Sequence, residues 1–175
     1  MPSSVVLPDW VAIAAVDPGG VTGVARGLFP VGSAESTTEA LRGAVELESW
    51  EEEGSVIDQA RSITSELGDW FGSLNMNGIA LTDMMFVIES FTLRQMHADL
   101  RPVEMRAQII ALWEVAGWSR PIPTEDQTPA DAKTYATDKR LRRWGAWVVG
   151  STHRRDAMRH LLLKVSRVLD GVDVK

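Results

Sequence analysis

Val11 to Ala25 reads VAIAAVDPGGVTGVA, an apolar run that ends in one acid, turns through Pro18, Gly19 and Gly20, and becomes apolar again. The pattern predicts a buried strand over Val11–Asp17, a tight turn, and a second strand over Val21–Leu28 paired back on the first. Proline fixes φ at the start of the turn, and glycine admits the positive φ that tight turns use. The acid is what needs explaining. A carboxylate at the end of an apolar strand is costly to bury unless it is paired or binds a metal. A turn aspartate can also simply accept hydrogen bonds from the amides of the glycines that follow. This stretch alone leaves both readings open.

Outward from it, the remaining elements can be read in order. Met1–Trp10 is expected as a flexible leader, and residues 11–170 as one domain. Residues 29–42, rich in Gly, Ser and Thr with Pro30, read as a loop. Ala44–Trp50 alternates moderately and is expected as a third strand completing a meander, with Glu51, Glu52 and Glu53 as a solvated acidic turn. Ser55 opens a helix carrying Val56, Ile57, Ala60, Ile63, Leu67, Trp70 and Phe71 at helical spacing, closed by Asn75–Gly78.

Met84–Ile88 is a compact apolar run, read as a buried strand that leads straight into Glu89. Pro102 starts a helix with Met105, Ile109, Leu112, Trp113 and Ala116 on one face, and Gly117 stops it. Residues 118–127 hold Ile122 between two prolines and read as a short edge strand. Thr128-Pro129 starts a helix expected to reach Gly145, and Ser151 or Thr152 caps a last helix running to about Leu169. Together these indicate an α/β fold: one mixed five-stranded sheet with helices on both faces.

Composition narrows the class. At 175 residues, 45% hydrophobic and 24% charged, the chain matches a soluble globular domain with a sizeable core. It has no cysteine, which excludes disulfides and thiolate metal sites and is expected of a reducing, cytoplasmic setting. The first residues lack a basic region followed by an apolar one, so no secretory signal is expected. No membrane association is expected either, because no apolar run approaches the roughly 20 residues that span a bilayer. The net charge of −6 argues against a generic nucleic-acid binder. It hides an asymmetry: residues 1–128 hold 7 Lys and Arg against 19 Asp and Glu, whereas residues 129–175 hold 11 against 5. A basic quarter on an acidic body is a directional field able to orient a polyanion.

Asp17 and Glu89 each end an apolar strand of the same expected sheet. The closing helix contributes STHRRDAMRH, in which His153, Asp156 and His160 are three and four residues apart and so share one face. Carboxylates and an imidazole converging from two strands and a helix suit hard divalent cations, Mg²⁺ or, with the imidazole, Mn²⁺. The bland alternative stands beside this. Met158, Leu162, Val165 and Leu169 form the core stripe of that helix, and the other three point away from it, as solvated residues do. Asp156 is also favoured in a helix's N-terminal half on charge alone.

The DPG turn followed by TG, the strand ending FVIESF, and the closing HxxDA helix together resemble the RuvC-type Holliday junction resolvases. The resemblance runs from about Val11 to Leu163, and the HRRDAMRH form of the helix looks most like phage-encoded members. It implies a ribonuclease H-like fold, with a three-strand antiparallel meander plus two parallel strands. It implies catalytic metal ligands at Asp17, Glu89 and Asp156, with His153 where many members carry a fourth acid. Two-metal phosphodiester hydrolysis follows, with two Mg²⁺ or Mn²⁺ per active site.

The same resemblance makes Lys133 a catalytic phosphate contact and Lys133 and Lys139 DNA-binding, with Phe91 similar to the aromatic that members insert at the junction point. Phe91 lies two residues after the Glu, one fewer than in the best-known members. Arg140, Arg142 and Arg143 are DNA-binding candidates or simply a solvated helix face, and Trp144 and Trp147 either stack on bases or pack in the core. The implied partners are branched DNA, four-way junctions above all, and a second copy in a homodimer, with Met105, Ile109 and Trp113 serving either core or partner. Competing readings are a related nuclease of structured RNA, an actin-like ATP-binding protein, and an inactive DNA-binding module. The actin-like fold needs two such domains, so no nucleotide cofactor is expected.

Overall fold

β1 (Val11–Asp17) is buried at every position and occupies the centre of the sheet. The computed structural model describes residues 9–90, 99–116 and 122–171. β2 (Thr22–Phe29) returns antiparallel to β1, and β3 (Val45–Glu52) pairs antiparallel with β2. On the other side β4 (Met84–Glu89) runs parallel to β1, and β5 (Thr124–Gln127) parallel to β4. The order β3-β2-β1-β4-β5 is the expected meander plus two parallel strands.

Alternation along β1 divides the core in two. Val11, Ile13 and Ala15 face α1 (Thr37–Arg42), α4 (Pro129–Tyr135), α5 (Asp138–Trp144) and the long α6 (Thr152–Leu169). Ala12, Ala14 and Val16 face α2 (Val56–Met76) and α3 (Arg101–Val115), where the Trp113 ring meets Phe71 edge-on and Phe86 at a tilt. On the first of these faces α6 lies close against β1.

Several local expectations are corrected. Residues 37–42 form a helix rather than loop, because Ser36 caps it by accepting from the Glu39 amide. Glu51 and Glu52 belong to β3, opposite Gly23 and Thr22, and are not a free turn. The helix expected from Pro129 to Gly145 breaks at Ala136, and Thr137 starts a new one by accepting from the Arg140 amide. The edge strand is confined to Thr124–Gln127, and residues 117–121 lie outside the described residues. Met105, Ile109 and Trp113 are buried within the chain's own core, which leaves none of them for a partner.

Candidate active site

Val16 stands opposite Ile88 in the parallel pair, so the next residues, Asp17 and Glu89, leave the sheet side by side. In sheets of this kind, ligands bind beyond the carboxyl ends of the parallel strands. The turn after Asp17 is held by Thr22, whose hydroxyl lies 3.4 Å from both the amide and the carbonyl of Gly19. The Gln59 amide on α2 donates to the Gly20 carbonyl at 2.9 Å.

α6 brings the third acid. Its first turn lies directly on β2, and a Cβ on Gly23 would overlap the His153 carbonyl and the Arg154 amide. Gly23 is therefore what permits the helix to approach. Ser151 caps α6, accepting from the Arg154 amide at 3.0 Å, and its hydroxyl donates to Glu51 on β3. From this platform His153 and Asp156 face Asp17, and one turn later His160 faces Glu89.

The solvated alternative fails on burial for two of these helix residues: Asp156 is 6% exposed and His160 1%. α6 packs against β1, β2, β3, β4, α1 and α4, so its buried arc is far wider than the Met158–Leu162–Val165 stripe. Only His153 remains substantially open.

Burial pushes the Asp17 carboxyl up from its usual 3.8 to about 6. The His153 hydrogen bond opposes that rise, while the charges of Glu89 and Asp156 add to it. His153 is raised in turn, first by its bond to Asp17, with Glu51 and Asp156 contributing. Three carboxylates are thus close enough to feel each other in a largely dry site.

Each acid already has a basic neighbour. Nδ1 of His153 lies 2.9 Å from Asp17 Oδ2, and Nε2 of His160 lies 2.8 Å from Glu89 Oε2. Asp156 accepts from Arg159 on one oxygen, and Lys133 Nζ lies 3.0 Å from the other. Arg159, buried, also reaches Asp138 and donates to the Ala136 carbonyl at 3.1 Å, which ties the α4–α5 break to α6.

Lys133 is thus brought into the acidic cluster, whereas Lys139, Arg140, Arg142 and Arg143 form an exposed face on α5. Arg140 donates to the Tyr135 carbonyl at 2.6 Å, and the Arg142 guanidinium stacks 3.8 Å over the Trp147 ring. Arg155 covers the same ring at 4.8 Å, and both Trp144 and Trp147 pack against the core. Phe91 lies outside the described residues. Reading the sequence missed Arg159, Gln127 and Arg101; the Arg101 guanidinium lies against Gly20, 3.0 Å from where a Cβ would stand. The i, i+3 spacing of Asp156 and Arg159 was the available signal for the first.

No protein-family model matches the chain, and no curated protein matches its sequence. Solved structures do. Thermus thermophilus RuvC in complex with a Holliday junction substrate superposes with a TM-score of 0.59, covering 93% of this chain and 97% of that one at 14% identity. A second Thermus thermophilus RuvC structure gives 0.58, covering 93% and 98% at 13% identity.

The fold is that of RuvC.

At this identity the RuvC likeness establishes the architecture, and the chemistry has to be argued from the side chains. Among the described residues no three His, Asp or Glu side chains stand close enough to grip an ion by themselves. The donors nevertheless fit a hard divalent cation. Mg²⁺ takes one or two carboxylates and keeps water and substrate phosphate in its remaining positions, so it needs no preformed cage. A cation among Asp17, Glu89 and Asp156 would also relieve the repulsion that helps hold the Asp17 proton. Within the RuvC-like sheet, Asp17 and Glu89 are fixed by paired strands, and the basic side chains around them come from helices.

Proposed function

We propose that this chain is a metal-dependent, structure-specific endonuclease that resolves Holliday junctions and other branched DNA by phosphodiester hydrolysis. The observation carrying this reading is the side-by-side exit of Asp17 and Glu89 from parallel strands of a RuvC-like sheet, with α6 bringing Asp156 near Asp17. Asp17, Glu89 and Asp156, with His153 beside them, would hold two Mg²⁺ or Mn²⁺. Bound cations would supply an activated water and a stabilised leaving 3′-oxygen in an in-line displacement.

The chain's own groups do the rest. His153 orients the Asp17 carboxylate through Nδ1. Lys133 is half exposed at the rim of the acidic cluster, within reach of a phosphate that enters it. Lys139, Arg140, Arg142 and Arg143 offer positive charge beside that entrance, and Phe91 is the residue expected to wedge at the junction point. A neighbouring structure that holds a Holliday junction substrate supports this choice of DNA.

A homodimer, with residues 11–170 as the nuclease domain, would set two sites symmetrically on the two strands to be cut. Its contact would use a face other than Met105, Ile109 and Trp113, which the core occupies. The HRRDAMRH helix supports a phage-encoded enzyme acting in the host cytoplasm.

The test is incubation of the chain with labelled four-way junction, splayed-arm duplex, linear duplex and structured RNA, with Mg²⁺, Mn²⁺ or chelator in turn. Symmetric nicking of the four-way junction that requires metal is the expected result. Preferential cutting of the RNA, or no cutting with either metal, overturns the reading.

A further inference from the structure

His160 is a buried titratable side chain that the nuclease reading does not use. It is 1% exposed on α6, one turn beyond Asp156. A buried imidazole is costly unless its nitrogens are satisfied, and here both are engaged by residues of neighbouring strands. Nε2 lies 2.8 Å from Glu89 Oε2 on β4, and Nδ1 lies 3.1 Å from the Gln127 side-chain amide on β5. Glu89 and Gln127 stand opposite each other in the parallel register, and Ser90 clamps the two strand ends by donating its amide to the Gln127 carbonyl at 2.8 Å. The ring therefore spans a rigid pair of strands.

Its hydrogen bonds have a direction. An ionised carboxylate only accepts, so Nε2–H donates to Glu89, and in the neutral ring Nδ1 is left as an acceptor. That acceptor requires an N–H from Gln127. With Oε1 toward the ring, Gln127 Nε2 is buried without a hydrogen-bond partner. Turning the amide over gives that nitrogen Nδ1 as its acceptor; amide orientation is assigned from the network in any case. The chain Gln127 N–H to His160 to Glu89 then runs in one direction, and Glu89 is held through a single oxygen, Oε2.

We propose that His160, oriented by Gln127, is a positioning residue that sets the Glu89 carboxylate for a divalent cation. The proposal rests on the nuclease reading, since the orientation of Glu89 matters to function only where Glu89 takes a metal. Groups that orient metal ligands in this way typically change affinity about 10–100-fold when removed.

The test uses the full chain and the variants His160→Leu, His160→Gln and Gln127→Leu. It measures Mn²⁺ binding by calorimetry, the Mn²⁺ dependence of junction cleavage, and the melting temperature. His160→Leu is expected to weaken Mn²⁺ binding about tenfold or more and to raise the Mn²⁺ needed for half-maximal cleavage in step, with the rate recovering at saturating metal. His160→Gln, which keeps an N–H donor, should restore binding to within about threefold of wild type, and Gln127→Leu should fall between. A packing role alone would move the melting temperature and leave Mn²⁺ affinity unchanged. Unchanged affinity in His160→Leu, or equal impairment in His160→Gln, overturns the proposal. If His160→Leu fails to fold, undiminished affinity in Gln127→Leu overturns it instead. Wild-type protein that binds no Mn²⁺ overturns the nuclease reading and this proposal with it; wild-type binding with unaffected variants overturns this proposal alone.

Discussion

His153 and Asp17 lie 136 residues apart in sequence, yet Nδ1 of one and Oδ2 of the other are 2.9 Å apart. The pair joins the last helix to the first strand at the mouth of the acidic cluster, and both members hold protons more tightly than they would in an unfolded chain.

That has a sign for stability. Between its usual 3.8 and about 6, Asp17 keeps a proton that the unfolded chain has lost, so stability falls as pH rises through this window. His153, also raised, continues the fall above its usual 6.5. Asp17→Asn removes the first effect and the largest cause of the second. Its stability relative to wild type should therefore be greater at pH 7.5 than at pH 5, by urea denaturation at each pH. A difference that shrinks with rising pH contradicts the assignment. The same variant should lose junction cleavage while still binding the junction.

Two glycines should respond oppositely to alanine. Gly23→Ala forces a methyl into the His153 carbonyl and should cost about 1–3 kcal/mol, displacing the first turn of α6 and lowering cleavage. Gly72, within α2, has nothing within 4 Å of its would-be Cβ, so Gly72→Ala should gain about 0.5–1 kcal/mol. Thermal unfolding of the two variants reads the contrast directly.

Lys133 makes its ion pair from an exposed position, while Arg159 holds the other oxygen of Asp156. Lys133→Met should therefore change stability by less than about 1 kcal/mol. Single-turnover cleavage at saturating metal should drop about a hundredfold, as when one charge-stabilising donor is removed. A folded variant with wild-type cleavage removes Lys133 from the chemistry.

Lys139 and Arg143 are exposed on α5. Replacing both with alanine should flatten the slope of log affinity against log salt by roughly 2, with affinity lowered for junctions of any sequence. Junction binding titrated at several salt concentrations checks this. An unchanged slope makes that face a solvated surface and nothing more.

The strand–turn–strand around Asp17 and the strand ending at Glu89 were legible because each apolar run stops abruptly at its acid. Helix α6 was legible as a helix but not in its burial: period alone marks Met158, Leu162 and Val165, and cannot show that six other elements close around it. His160 was therefore legible as sharing a face with His153 and Asp156, but not as buried. The break at Ala136 was written in Thr137, a capping residue inside an otherwise continuous helical pattern. The position of Arg101 against Gly20 depends on how α3 docks, which no local pattern carries.

All seven residues of β1 are buried, and the strand is hydrogen-bonded along both edges. Its amides can exchange with solvent only when the protein opens as a unit, whereas the Lys133 side chain on short α4 can swing free without disturbing any backbone. Asp17 is thereby mounted on a fully buried strand paired on both sides, while Lys133, the cation beside Asp156, reaches in as an exposed side chain. In the nuclease reading, the carboxylate is thus fixed before any substrate arrives, and the lysine is free to turn from Asp156 to an entering phosphate.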